Sequence, residues 1–216
     1  KDVLNINIPS NYYTTMNPVT QCRNPEFEKT HQQIIQKVID SNLTRAIFGD
    51  SITYNWMSVG KDSWDKFMSD KFINLGIGFD RIENVLYRVF HDEIEPEYIK
   101  LNEVVVLIGT NNIAINNKTE IVEGIKFLLK QIHVKQPDAK IFLLGLLPRI
   151  GYDDVIKEIN SELKNEAEKE SFWSFSDPGQ VLLDEKTGLI NKDLFYDGLH
   201  PNKDGYNLIA PLIAAL

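Results

Sequence analysis

The segment "EVVVLIGTNN", residues 103–112, constrains the fold more than any other stretch of this chain. Positions 104–108 are all aliphatic and β-branched or leucine, with no polar residue alternating between them. Neither face of such a strand can meet water, so it belongs inside a parallel sheet covered on both sides. Matching apolar runs occur at 43–48, 72–75 and 140–147, with a weaker fifth near 172–175. Between them apolar residues recur at helical spacing: Ile82, Val85, Leu86 and Val89; Ile121, Ile125, Leu128 and Ile132; Val155, Ile159 and Leu163; Tyr206, Ile209 and Ile213. Strands alternating with helices predict right-handed βαβ units and a doubly wound parallel α/β sheet of five strands.

Ahead of this pattern, residues 1–25 carry three prolines and no period, and Phe27, Ile34, Ile35 and Val38 mark one helix ending near Asp40-Ser41-Asn42. The predicted organisation is an N-terminal arm and helix (1–42) packed on one domain (43–216). A chain of 216 residues suffices for a single well-buried core. No apolar stretch approaches the roughly 20 residues that span a bilayer. The net charge of −8 and the lack of any basic cluster argue against nucleic acid as a partner. The single cysteine, Cys22, excludes an intrachain disulfide and any site of several cysteine ligands. The first residue is Lys1 rather than methionine, which reads as a processed or trimmed product; the location stays open, with an exported, periplasmic or extracellular one slightly favoured over a cytoplasmic one.

Open α/β sheets bind ligands beyond the carboxyl ends of their strands. Those ends here carry Gly49-Asp50-Ser51, "NLGIGFD" (74–80) and "GTNN" (109–112), and a polar block "DGLHPN" (197–202) precedes the last helix. A serine hydroxyl becomes a nucleophile when a base takes its proton, and imidazole held by a carboxylate is the usual base. Asp197 and His200, three residues apart, have the spacing for that pair. Pro201 disfavours a helical backbone at His200. An ester-hydrolysis oxyanion needs aimed donors; the Ser51 N–H, a backbone N–H of the 76–79 loop and the Asn111 amide are the candidates. Each residue also has a plain structural use: Ser51 as a helix cap, Asp197-Gly198 and Asn111 as turn formers. Their joint occurrence at the ends of one sheet favours chemistry.

These four blocks resemble those of the SGNH (GDSL-type) hydrolases, and "NLGIGFDRIENVLYRV" (74–89) with "IFLLGLLPR" (141–149) resembles the catalytic subunits of platelet-activating-factor acetylhydrolases and their bacterial relatives. The resemblance covers about residues 30–216. It implies a flavodoxin-like three-layer fold, with Ser51 as nucleophile, His200 as base and Asp197 as its orienter. Ser51, Gly78, Phe79 and Asn111 would form the oxyanion hole. It implies a cofactor-independent esterase acting on short, chiefly acetyl, esters of a saccharide or a lipid, with a homodimer as the relatives' analogy. One departure stands out: Phe79 occupies the place where the family usually has glycine before the aspartate. Phe79 retains a backbone N–H, but a positive φ there is costly, and its ring would narrow an acyl pocket.

Other features read as structure. His31, His91 and His133 have no partner at metal-ligand spacing, and Asp92, Glu93, Glu95 and Glu97 read as a solvated helix end. Asp80 with Glu83 forms a capping-box pattern. Trp56, Trp64 and Phe67 read as the core side of one helix following Ser51. Arg149 is placed to reach the site mouth or to form a surface ion pair. Two other functions are open to this sequence: a non-catalytic binding module that lost turnover through Phe79, and a flavodoxin-like cofactor binder.

Overall fold

The computed structural model describes residues 12–22 and 24–216. Five strands, β1 (Arg45–Gly49), β2 (Phe72–Gly76), β3 (Glu103–Leu107), β4 (Lys140–Leu144) and β5 (Trp173–Ser176), form one sheet in the order β2-β1-β3-β4-β5. All neighbouring pairs are parallel. The continuous apolar run of β3 sits at the centre, as its lack of alternation requires. Val104 and Val106 face one apolar layer, while Val105 and Leu107 face the other. Burying each of these side chains, two on either face, is worth roughly 1.5–3 kcal/mol, which fixes the strand in a covered position.

The first layer holds α1 (Phe27–Ile39), α4 (Ile82–Phe90), α5 (Lys118–Lys135) and α6 (Asp153–Ala167). The second holds α2 (Ser51–Tyr54), α3 (Lys61–Phe67) and α7 (Lys203–Ala214). The fold is therefore the doubly wound three-layer α/β arrangement that the periodicity predicts. Helix α1 is part of the main core: Phe27, Ile34 and Val38 lie in one buried cluster with Ala46 and Phe48 of β1. The predicted irregular arm falls partly outside the described residues. Within the described part, Thr14–Met16 forms a 3-10 turn, and the Thr15 hydroxyl donates to the Glu120 carbonyl at 2.6 Å.

Two local expectations are corrected. Trp56 and Trp64 are buried core residues, but not on one helix: α2 passes into a 3-10 turn at Asn55–Met57 before α3 starts at Lys61. At Gly60 a Cβ would come within 2.8 Å of both the Trp56 and Tyr206 rings, so the chain must break there to let the rings pack. Helix α4 is capped one residue later than the Asp80–Glu83 pattern suggests, with the Arg81 N–H donating to Asn84 Oδ1 at 2.9 Å.

Candidate active site

The sheet order reverses direction between β1 and β3, so the loops after these strands diverge to opposite faces and open a crevice between them. Gly49 closes β1 where a Cβ would lie 2.8 Å from the Leu107 carbonyl oxygen, so the two strand ends meet at backbone contact. Asp50 then caps α2, its Oδ1 accepting the Ile52 N–H at 2.9 Å. Burial pushes this carboxyl up to about 7, against the pull of the Ile52 N–H. Because Asp50 makes the cap, the Ser51 hydroxyl is left free of that duty. It meets His200 Nε2 at 2.8 Å instead.

His200 Nδ1 lies 2.6 Å from Asp197 Oδ2. An Nδ1–H donated to the carboxylate leaves Nε2 as the acceptor facing the serine hydroxyl. Asp197 Oδ1 also accepts the backbone N–H groups of Leu199 (3.0 Å) and His200 (2.7 Å). Burial works to raise the Asp197 carboxyl, but these hydrogen bonds and the imidazole outweigh it and hold it below its ordinary range. The loop bends at Gly198, which has φ of 78°, and a bridge between Phe195 and Pro201 clips its two sides together. Asn202 then caps α7, accepting the Asp204 and Gly205 N–H groups. Tyr206 on α7 donates to the Ile52 carbonyl at 2.7 Å, tying the histidine's element to the serine's. The Tyr196 ring lies parallel to the imidazole, 5.4 Å between centroids and 7° between planes, and its hydroxyl accepts from Asn55 Nδ2 at 3.1 Å.

The loop after β2 contains the family-atypical residue. Residues 77–80 form a turn closed by the Asp80 N–H on the Ile77 carbonyl at 3.3 Å. Phe79 takes φ of 65°, a state that costs a residue with a Cβ about 1–2 kcal/mol. Its ring is 79% exposed and fills no acyl pocket, contrary to that expectation. A Cβ at Gly78 would meet nothing within 4 Å, so the turn is open on that side. Asn111 Nδ2 donates to the Asp80 carbonyl at 2.9 Å, and Asn112 Oδ1 accepts the Ile82 N–H at 3.1 Å. The loops after β2 and β3 are thereby joined. The structure thus brings Ser51, His200 and Asp197 into one hydrogen-bonded chain and joins Asn111 to the Gly78–Phe79 turn; among the described residues no hydrogen bond links that turn to Ser51.

A buried charge network escaped the sequence reading. Arg88 Nε and Nη2 grip Asp80 Oδ2 at 3.0 and 2.8 Å, and Arg88 Nη1 bonds Glu93. All three side chains are fully buried, so Glu93 is no solvated helix end. Burial pushes both carboxyls up, and the one guanidinium they share pulls each back. His31 Nε2 stands 3.4 Å from Glu93 Oε2, in full burial. The spacing of Asp80 and Glu93 about Arg88 was the available signal, but it reads equally well as surface charge. Arg149 is not in a surface ion pair: its Nη1 donates to the Thr110 carbonyl at 2.7 Å, with the guanidinium 4.7 Å over the Tyr152 ring. A cavity of about 790 Å³ beside α6, lined by Asn160, Lys164 and Asp177, does not include Ser51 or His200. Among the described residues no cluster of three or more His, Cys, Asp or Glu is placed to hold a metal ion, and no helix is long and apolar enough to cross a membrane.

The strand order and the loops at the carboxyl edge define a class, the flavodoxin-like α/β domains of SGNH type. Within it the chain belongs to the GDSL-like Lipase/Acylhydrolase family, whose family model matches residues 47–208. It is 32% identical over 151 residues to the platelet-activating factor acetylhydrolase IB subunit alpha1 of Rattus norvegicus, a match covering 67% of this chain and 62% of that protein. The chain therefore spans less than two thirds of the length of this relative. A GDSL-like lipase from Bacteroides thetaiotaomicron shares the fold with a TM-score of 0.69 at 20% identity, over 86% of this chain and 95% of that one. A carbohydrate esterase family 3 structure from Talaromyces cellulolyticus shares it at 0.62 and 16% identity, over 80% and 95%.

Proposed function

We propose that this protein is a serine esterase that cleaves short-chain carboxylic esters, acetyl esters above all, through an acyl-enzyme. The observation that carries this reading is the chain Ser51 Oγ, His200 Nε2, His200 Nδ1, Asp197 Oδ2, with links of 2.8 and 2.6 Å. Ser51 Oγ attacks the ester carbonyl carbon as its proton passes to His200 Nε2, and the carbonyl oxygen becomes an oxyanion. The Ser51 N–H at the start of α2, an N–H of the Gly78–Phe79 turn and the second Asn111 amide hydrogen are the donors that receive it. Asn111 spends one amide hydrogen on the Asp80 carbonyl and has two, so one remains. The intermediate collapses by breaking the bond to the alcohol oxygen, which takes the proton from His200. Water then attacks the acyl-serine by the same route and releases the acid. Asp197, carrying full charge, holds the imidazole tautomer and favours the imidazolium that forms in each step.

The name of the relative, an acetylhydrolase, supports a small acyl group, and that of the structural neighbour, a carbohydrate esterase, supports a saccharide ester. Two exposed aromatic rings beside the site, Tyr196 at 53% and Phe79 at 79%, offer flat faces suited to an O-acetylated saccharide. The test compares wild type with Ser51→Ala on p-nitrophenyl acetate, butyrate and octanoate. The expected result is turnover that falls with acyl length and is lost in Ser51→Ala. Turnover equal in the two proteins would overturn the reading in favour of a binding module.

A further inference from the structure

We propose that Gln21, a residue of the N-terminal arm outside the family-matched region, is a positioning residue that locks the Gly78–Phe79 peptide with its N–H turned toward the oxyanion. This rests on the esterase reading above.

The turn at residues 77–80 has Gly78 in its second position and Phe79, at φ of 65°, in its third. That sign at the third position is the mark of a type II turn, which favours glycine there. A type I turn over the same four residues differs mainly by a flip of the central peptide and puts the third residue at a φ of about −90°. Phenylalanine prefers the second state, because a Cβ is unstrained at negative φ. Left to itself, then, this turn would flip. In a trans peptide the C=O and N–H point in opposite directions. The flip would carry the Phe79 N–H away from the side it now faces and put a carbonyl oxygen in its place. A carbonyl there would repel an oxyanion that the N–H would stabilise.

Gln21 opposes the flip. Its Nε2 donates to the Gly78 carbonyl at 3.0 Å and also to Asp80 Oδ1. Both amide hydrogens are thus spent, one on the peptide that would have to rotate and one on a carboxylate that cannot move. Asp80 is immobile because Arg88 holds it from the far side and Glu93 holds Arg88. Asn111 fixes the Asp80 carbonyl, two residues beyond Gly78, at 2.9 Å. The turn is gripped at the Gly78 and Asp80 carbonyls, on either side of Phe79, and the Phe79 N–H is bonded to none of the described residues. A glycine at this place would need no such lock, since glycine takes positive φ freely.

The experiment measures kcat and KM on p-nitrophenyl acetate for wild type, Gln21→Ala, Phe79→Gly and the double variant. Gln21→Met, which keeps the volume and removes both donors, serves as a second form of the lesion, and urea unfolding shows that each variant is folded at assay. Loss of a whole oxyanion donor costs about 100-fold or more, and partial loss by flipping is expected to lower kcat about tenfold. KM should stay within about twofold, because the donor acts on the transition state. In the Phe79→Gly background the same Gln21 substitution should cost about twofold or less, since the two residues couple through one peptide. A Gln21→Ala enzyme with wild-type kcat overturns the inference, as do equal losses in both backgrounds. An inert wild type, indistinguishable from Ser51→Ala, overturns the esterase reading itself and this inference with it, an outcome separate from the other two.

Discussion

Phe79 illustrates how one residue can hold a state that its own side chain opposes. Its ring is 79% exposed, so packing recovers little of the cost of a positive φ. Phe79→Gly is therefore expected to stabilise the fold by about 1 kcal/mol, after the entropy of glycine is subtracted, as a rise in the urea midpoint at unchanged slope. His31 gives a prediction in pH. It is buried between Phe27 and Tyr87 on one side and Glu93 and Arg88 on the other, and burial, with Arg88 and His91 adding to it, pushes its imidazole down to about 4 from an ordinary 6.5. The unfolded chain takes up the proton first as pH falls. The stabilising contribution of this group is thus complete above about 6.5 and is lost as pH drops through 4, a change of up to about 3 kcal/mol. Urea unfolding at pH 7 and pH 4.5 should show a smaller acid loss in His31→Phe than in wild type. Asp197→Asn should lower kcat by roughly 10⁴ with little effect on stability, since the orienting charge is lost while the loop's backbone bonds can persist. Ser51, Asp197, His200 and Asn111 were legible because each stands in a short polar block at a strand or helix end. The Gln21–Asp80–Arg88–Glu93 network was not, because its members come from an arm, a turn and a helix that only the fold brings together.

At the scale of elements, the crossing of β2 with α2 is a tight backbone joint near the site. A Cβ on Gly76 would sit 2.4 Å from the Tyr54 backbone nitrogen, and no side-chain rotation relieves a clash with backbone. Gly76→Ala is expected to cost about 2–3 kcal/mol and to lower turnover through displacement of α2, measured by urea unfolding and by kcat. The strands themselves were readable to within a residue or a few, because a run such as that of β3 leaves no other environment open. Element starts were less readable. Asp50 and Ser51 are both good caps by type, and only the folded geometry, with Asp50 accepting the Ile52 N–H, decides between them. The start of α4 slid by one residue because Asp80, the better cap by type, is drawn away by Arg88.

At the scale of the molecule, the proposed division into an arm with a helix (1–42) and a domain (43–216) is a division of sequence over a shared core. Deleting residues 1–42 would uncover the side of the sheet that Phe27, Ile34 and Val38 now seal, and remove Gln21 as well. We expect the truncated chain to lose cooperative unfolding in urea, whereas a purely appended arm would leave it intact. The serine and histidine of the site are 149 positions apart along the chain, and the bond between them closes only when the last helix docks on the second. A polypeptide stalled on the ribosome short of residue 200 would therefore be chemically silent, however much of its sheet had formed. Turnover in this protein would report that the chain has been made and folded at least as far as the helix that carries Tyr206.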